Sequence, residues 1–201
     1  MIFKTELQYY SSLLTKKYRQ AENKFLVEGK KSVLEGLSSS YKSELVFVTN
    51  IFSEENKNTL AQISKKKIRI ETLKYKDFQK ISDTETPQGI AAVFHKPKFQ
   101  FSQTAFKVEK FVVMLDNISD PGNLGTIIRN CDWFGIKNIL LSESSVDYTN
   151  PKVIRSSMGS VFHVNLFENV DTNSLINFKK DGFKILCADT KGENIFSYGS
   201  K

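Results

Sequence analysis

The feature that most constrains this chain is the run from Leu115 to Asn130, where an apolar segment meets a tight loop and then a helical pattern. The loop is Asp116-Asn117-Ile118-Ser119-Asp120-Pro121-Gly122-Asn123, between a strand signal at Phe111 to Leu115 and a helix expected over Thr126 to Phe134. A strand feeding a helix through such a loop belongs to a parallel α/β sheet, and ligands bind such sheets in the crevice at the carboxyl ends of the strands. Pro121 and Gly122 shape the turn, and Gly125 lets another backbone or a ligand approach closely. The free amides at the helix start can hold an anion, so a phosphate or ribose contact is expected there.

The same alternation surrounds this run. Upstream, Glu6 to Tyr18 carries apolar residues at helical spacing (Leu7, Tyr10, Leu13, Leu14) and ends in the basic Lys16-Lys17-Tyr18-Arg19. Strand signals follow at Phe25 to Val27, Leu45 to Val48, Ile68 to Leu73 and Gln88 to Phe94, with helical patterns at Val33 to Leu37, after Ser53 as a cap, and at Lys74 to Ile81. This is βαβ-type alternation over one small domain. His95 to Gln103 has a proline, polar residues and no helical period, which marks a linker. The expected division is 1–97, a linker at 98–108, and a second domain at 109–201. Downstream, strands are expected at Asn138 to Leu141, Val161 to Phe167 and Phe183 to Ala188. Helices are expected from Pro151, at its first position, and over Thr172 to Lys180.

Composition narrows the function classes. With 201 residues, 40% of them hydrophobic, the chain can bury a core of its own. The 29 Lys and Arg against 22 Asp and Glu leave a net charge of +7, which favours polyanions such as RNA or an anionic surface. No apolar run approaches the length of a membrane span, and the start of the chain lacks the apolar core of a signal peptide, so a cytoplasmic location is expected. Cys131 and Cys187 are expected as reduced thiols. His95 and His163 form no spaced ligand motif, so no metal is expected.

Arg129 is the most informative charged residue. With the helix read from Thr126, it falls in the first turn, where the macrodipole disfavours a cation by a few tenths to about 1 kcal/mol. Either it engages RNA near a reacting group, or it pairs with Asp132 or Asp120. Trp133 lies four residues on, on the same helix face, and reads as packing or as an interface. A nicotinamide-binding reading of the loop fares poorly, because Gly122-Asn123-Leu124-Gly125 is not G-x-G-x-x-G and the next strand offers only Glu143 as a ribose-binding acid.

With Asn117, Asp120-Pro121, Asn123, Gly125 and Arg129 at this spacing, the run resembles the first signature motif of the SpoU/TrmH family of SPOUT methyltransferases. Asn150 to Phe162 is similar to the family's following helix. Lys17-Tyr18-Arg19, Phe25 to Gly29 and Thr86-Pro87-Gln88-Gly89 resemble its substrate-binding domain of L30e type. The resemblance implies an L30e-like α/β domain followed by a SPOUT-type α/β knot domain with a parallel sheet. It implies transfer of a methyl group from S-adenosylmethionine to a ribose 2′-hydroxyl of RNA, with ribosomal RNA expected before transfer RNA, by a homodimer. It gives Arg129 the activating role, through orientation and charge stabilisation, and Asn117 the organisation of the loop. The residues expected to touch RNA are Lys17, Arg19, Lys30, Asn123, Arg155 and Ser157. The family's Asn-Glu-Gly-type and Ser-Leu-Asn segments do not occur after Ala188, so the methyl-donor site is expected to be incomplete and the chain by itself poorly active. The rival expectation is a non-catalytic RNA-binding module using the same basic residues, with Lys65 to Lys67 as a solvated face.

Overall fold

The computed structural model describes residues 3–99, 101, 106 and 111–197. Helices α1 (Lys4–Ser12) and α2 (Lys16–Glu22) replace the single expected helix, and Asn23, in the left-handed region at φ 51°, ends the second. Strand β1 (Lys24–Glu28), α3 (Lys30–Ser38), β2 (Ser43–Thr49), α4 (Asn50–Glu55), α5 (Lys57–Lys65) and β3 (Arg69–Leu73) follow. The Thr49 hydroxyl accepts from the Phe52 amide and so caps α4; Ser53, the expected cap, lies inside that helix. Helix α6 (Tyr75–Phe78) runs on as a 3-10 turn over Gln79–Ile81 before β4 (Ile90–His95).

These strands form a mixed sheet in the order β1-β4-β2-β3. Only β2 and β3 run parallel, because the turn through Gly89 (φ +79°) brings β4 back antiparallel to both neighbours. The expected βαβ alternation therefore holds for one pair of strands in this half. Most of the expected linker, including residues 102–105, 107 and 108, lies outside the described residues.

The second sheet is wholly parallel, as expected. It contains β5 (Val113–Leu115), β6 (Asn138–Leu141) and β7 (Asn165–Phe167), in the order β5-β6-β7. Between them lie α7 (Pro121–Trp133) and α8 (Pro151–Ser157), packed along each other, and α9 (Leu175–Lys180) follows β7. Two expected strands are corrected. Within Val161 to Phe167, Ser160–Phe162 is a 3-10 turn entered through Gly159 at φ +98°, and only Asn165–Phe167 joins the ladder. Phe183 to Ala188 joins none.

Alternation along the strands places the core. Phe25, Val27, Val46, Val48, Ile90, Ala92 and Phe94 of the first sheet face the same cluster as Ile139, Leu141 and Leu166 of the second. Leu26, Leu45, Phe47, Ala91 and Val93 point the other way, onto Leu7, Tyr10 and Phe78. The two halves thus share one core, and Phe162 is its hinge-pin. Its ring lies 5.0 Å from Tyr41, 5.1 Å from Phe94 and 6.3 Å from Phe25. Gly36 is required beside it, since a Cβ there would stand 2.6 Å from Phe94 Cζ and 2.7 Å from Phe162 Cζ. Among the described residues, no helix is long and apolar enough to cross a membrane.

Candidate active site and nucleic-acid interface

The loop after β5 is pinned from several sides. Asn117 takes the left-handed conformation at φ 52°, a region that asparagine tolerates better than most side chains. Its amide donates to Ser142 Oγ at 2.9 Å, and the Ile118 amide to Ser145 Oγ at 3.3 Å. The amides of Ser142 and Val146 return bonds to the carbonyls of Leu115 and Ile118. Two serines after β6 therefore hold the backbone on which Asn117 sits.

Helix α7 begins earlier than the apolar pattern suggests. Asp120 is its N-cap, accepting from the Asn123 amide at 2.7 Å, and Pro121 occupies its first turn. That amide bond holds the Asp120 carboxyl below the usual carboxylate range, and Lys152 on α8 adds to the effect from 3.5 Å. Arg129 is consequently the ninth residue of a helix starting at Pro121, beyond the reach of the N-terminal dipole, so the expected electrostatic penalty does not apply. The simple pairings also fail. Asp120 is engaged by Lys152, and Asp132 by Lys137 and His163, leaving Arg129 exposed and without an ion-pair partner among the described residues.

Gly125 has the close-approach role expected of it. A Cβ at this position would lie 1.9 Å from Ser156 Oγ and 2.7 Å from the Val153 carbonyl oxygen, so its absence sets the distance between α7 and α8. With Leu124, Ile128 and Cys131 buried, the opposite face of α7 presents Asn123, Thr126, Arg129, Asn130 and Trp133. Trp133 is 85% exposed and Phe134 77%, so Trp133 does not serve the interior packing that was one of its two readings.

At the carboxyl ends of β5, β6 and β7 lies a cleft of about 550 Å³, lined by Asp116, Ser142, Glu143, Ser144, Asn169 and Asp171 among others. Of these, sequence reasoning reaches only Glu143, as a ribose-binding acid for a nicotinamide cofactor; the rule that open parallel sheets bind ligands at this edge points to the cleft but not to its other residues, because they lie in loops after three separate strands. Asn169, like Asn117, is in the left-handed region, at φ 55°.

The residues expected to meet RNA separate into two groups. Lys17 is exposed on α2. Lys30 reaches Asn56 Oδ1 at 2.7 Å, while its backbone amide donates to Gln88 Oε1. Arg155 projects from α8 and meets Asp83 at 2.6 Å. Arg19 and Ser157 are corrections. The Arg19 side chain is 3% exposed, bonded to Asp147 at 2.9 Å and to the carbonyls of Leu13 and Leu14, so it ties α2 to the loop before α8 instead of facing solvent. Ser157 is wholly buried, its hydroxyl donating to the Ile154 carbonyl. A second tie crosses the same junction, where Lys96 contacts Glu168 and lies 5.0 Å over the Tyr148 ring.

Comparison with known proteins matches this architecture half by half. The SpoU rRNA Methylase family matches residues 110–201, and the MRM3-like substrate binding domain matches residues 4–92. The mitochondrial rRNA methyltransferase 3 of Mus musculus is 31% identical over 179 residues, covering 87% of this chain and 42% of that protein. The 23S rRNA (guanosine(2553)-2′-O)-methyltransferase RlmP of Bacillus subtilis is 33% identical over 176 residues, covering 88% of this chain and 66% of that one. The chain thus spans about two fifths of the mouse protein's length and about two thirds of the Bacillus protein's. Among solved structures, a protein assigned to the TrmH family of RNA methyltransferases from Porphyromonas gingivalis superposes with a TM-score of 0.77 at 34% identity, covering 90% of this chain and 69% of that one. An AdoMet-bound rRNA methyltransferase from Sinorhizobium meliloti shares the fold, with a TM-score of 0.71 at 24% identity, covering 90% of this chain and 67% of that one. With the signature loop, the parallel sheet and both halves matched in order, the chain belongs to the SpoU/TrmH family.

Proposed function

We propose that the protein takes part in methyl transfer from S-adenosylmethionine to a ribose 2′-hydroxyl of ribosomal RNA. The observation that carries the reading is Arg129, an exposed guanidinium with no ion-pair partner among the described residues, on the helix that follows the pinned Asn117 loop. The cationic sulfonium and ammonium groups of the cofactor suit the cleft at the carboxyl ends of the parallel strands, whose lining includes Asp116, Glu143 and Asp171. When bound, it supplies an electrophilic methyl carbon on sulfur. Asp116, Ser142, Glu143 and Asp171 would supply one wall of its site, facing its cationic groups at the carboxyl edge of the sheet. Arg129 orients the 2′-hydroxyl and stabilises the charge that develops as its proton leaves. The relatives named as rRNA methyltransferases favour ribosomal over transfer RNA. Two free thiols fit a reducing, cytoplasmic compartment.

Transfer from labelled S-adenosylmethionine to unmodified total RNA, with nucleoside mass spectrometry to locate the methyl group, tests the reading. Arg129→Ala is expected to lower ribose methylation about 100-fold or more while RNA binding persists. Undiminished methylation by that variant would remove the role given to Arg129. RNA binding without methyl transfer to any pool would instead favour the non-catalytic module.

We also infer self-association through the end of α7, where Trp133 and Phe134 stand side by side in solvent next to the Arg129 face. Trp133→Ala should weaken dimerisation in sedimentation by about tenfold or more, as expected for truncation of a central aromatic anchor. An unchanged equilibrium would exclude this patch.

A further inference from the structure

A groove of about 250 Å³ runs between the two halves, away from the cleft at the carboxyl ends of the parallel strands. Lys31, Thr86 and Gln88 line it from the substrate-binding half, Arg155 and Met158 from α8. Its charges are unequally committed. Glu28, on the same wall, is fully used in bracing the 82–84 loop: one oxygen accepts from Ser82 Oγ and the Asp83 amide, the other from Thr84 Oγ1. Lys31 is exposed and has no ion-pair partner among the described residues. Among the described residues, Arg155 is held only through Nη1, by Asp83 Oδ2 at 2.6 Å, in a pair that is one third exposed on one side and 42% on the other. Met158, in the left-handed conformation that ends α8, is 44% exposed.

We propose that this groove grips one unpaired nucleotide of the RNA, and that Asp83 occupies Arg155 in the place a backbone phosphate takes on binding. This inference rests on the reading of the protein as acting on RNA. A guanidinium suits the exchange, because its planar fork binds a carboxylate and a phosphate with the same geometry. A half-exposed ion pair is worth little, so giving it up opposes binding only weakly. Lys31 lies within the same groove to share the phosphate charge. Met158 offers a polarisable apolar surface for the base, while Thr86 and the Gln88 amide nitrogen offer polar contacts at its edge. An unpaired nucleotide is required because a groove lined by both halves has to receive a base that has left its stack. The site also has a direct structural link to the proposed chemistry, since Arg155 adjoins the Ser156 that packs on Gly125 of α7.

The test is salt-dependent binding of two RNAs of equal length, a single strand and a perfect duplex, by the full chain and three variants. Arg155→Ala is expected to reduce the slope of log affinity against log salt by about 0.7 for the single strand and to leave the duplex unaffected. Asp83→Asn is expected to bind the single strand up to about fivefold more tightly, as a competing exposed ion pair is removed. In the Asp83→Asn/Arg155→Ala double variant that gain should vanish, and thermal melts identify any variant that fails to fold. A purely structural pair would give weaker or equal binding for Asp83→Asn and no coupling in the cycle, and that result overturns the groove. An equal loss on both RNAs for Arg155→Ala also overturns it, in favour of a general phosphate contact. If the unmodified chain binds neither RNA, the RNA reading itself fails; if it binds and only the groove variants are silent, the groove alone fails.

Discussion

Replacing Asp147 with alanine is expected to destabilise the protein by about 3–5 kcal/mol, the range for removing one partner of a buried ion pair and leaving the other charge unmatched. Both side chains of the Arg19–Asp147 pair are 3% exposed. Without the carboxylate, Arg19 would keep only the carbonyls of Leu13 and Leu14 and the Thr149 hydroxyl. Burial alone would raise the Asp147 pKa. It is outweighed by the Thr149 hydroxyl and amide and by the Arg19 charge, which together hold the carboxyl below its usual range. A carboxyl with a folded-state pKa below its unfolded value of about 3.9 stabilises fully above that value, and the contribution is lost as pH falls from there through the folded pKa. Urea titrations should therefore show a gap between the natural protein and Asp147→Asn that is constant near neutrality and narrows below about pH 4. A gap that widened with acid would contradict the assignment. So would an Arg19→Met/Asp147→Leu variant no more stable than the Asp147→Ala variant, since removing both charges should be far less costly than stranding one.

Phe162→Ala is expected to cost a further range of about 3–5 kcal/mol, because the cavity would open where both sheets meet. The rings of Tyr41, Phe94 and Phe25 contact Phe162 from the first half, and Gly36 leaves no side chain to collapse into the space. The measurement is equilibrium unfolding followed by near-ultraviolet circular dichroism, from buried rings such as Tyr41 and Tyr148, and by far-ultraviolet circular dichroism, from the whole backbone. Coincident transitions shifted to lower denaturant are expected for the variant. A shift below about 1 kcal/mol would mean that the aromatic junction contributes little.

Much of the α/β layout was legible because buried strands with branched and aromatic residues stand out. Phe25 to Val27, Leu45 to Val48 and Asn138 to Leu141 all lie in strands. The start of α8 was legible for a local reason, proline at its first position behind the Asn150 cap. The start of α7 carried the same kind of signal in Asp120-Pro121, yet the apolar pattern begins later, and following that pattern misplaced Arg129 in the helix. Val161 to Phe167 was misread because a short apolar run looks alike as a strand or as buried turn residues. Here Gly159 bends the chain and sends Val161 and Phe162 into the core. Arg19 could not be assigned locally at all. Its partner lies 128 residues away, and only the docking of the two halves turns a basic surface motif into an interior tie.

The common core also bears on how such a protein can change over evolutionary time. Joined only by a tether, the halves could be exchanged between relatives, and a new RNA target acquired by recombination at the connecting segment. Phe162, Gly36 and the Arg19–Asp147 tie make that route costly, because each half completes the other's interior. New specificity would have to arise by drift in surface loops such as 83–88, with the interior held constant, and transplanting either half into a homologue would require transplanting the aromatic junction with it.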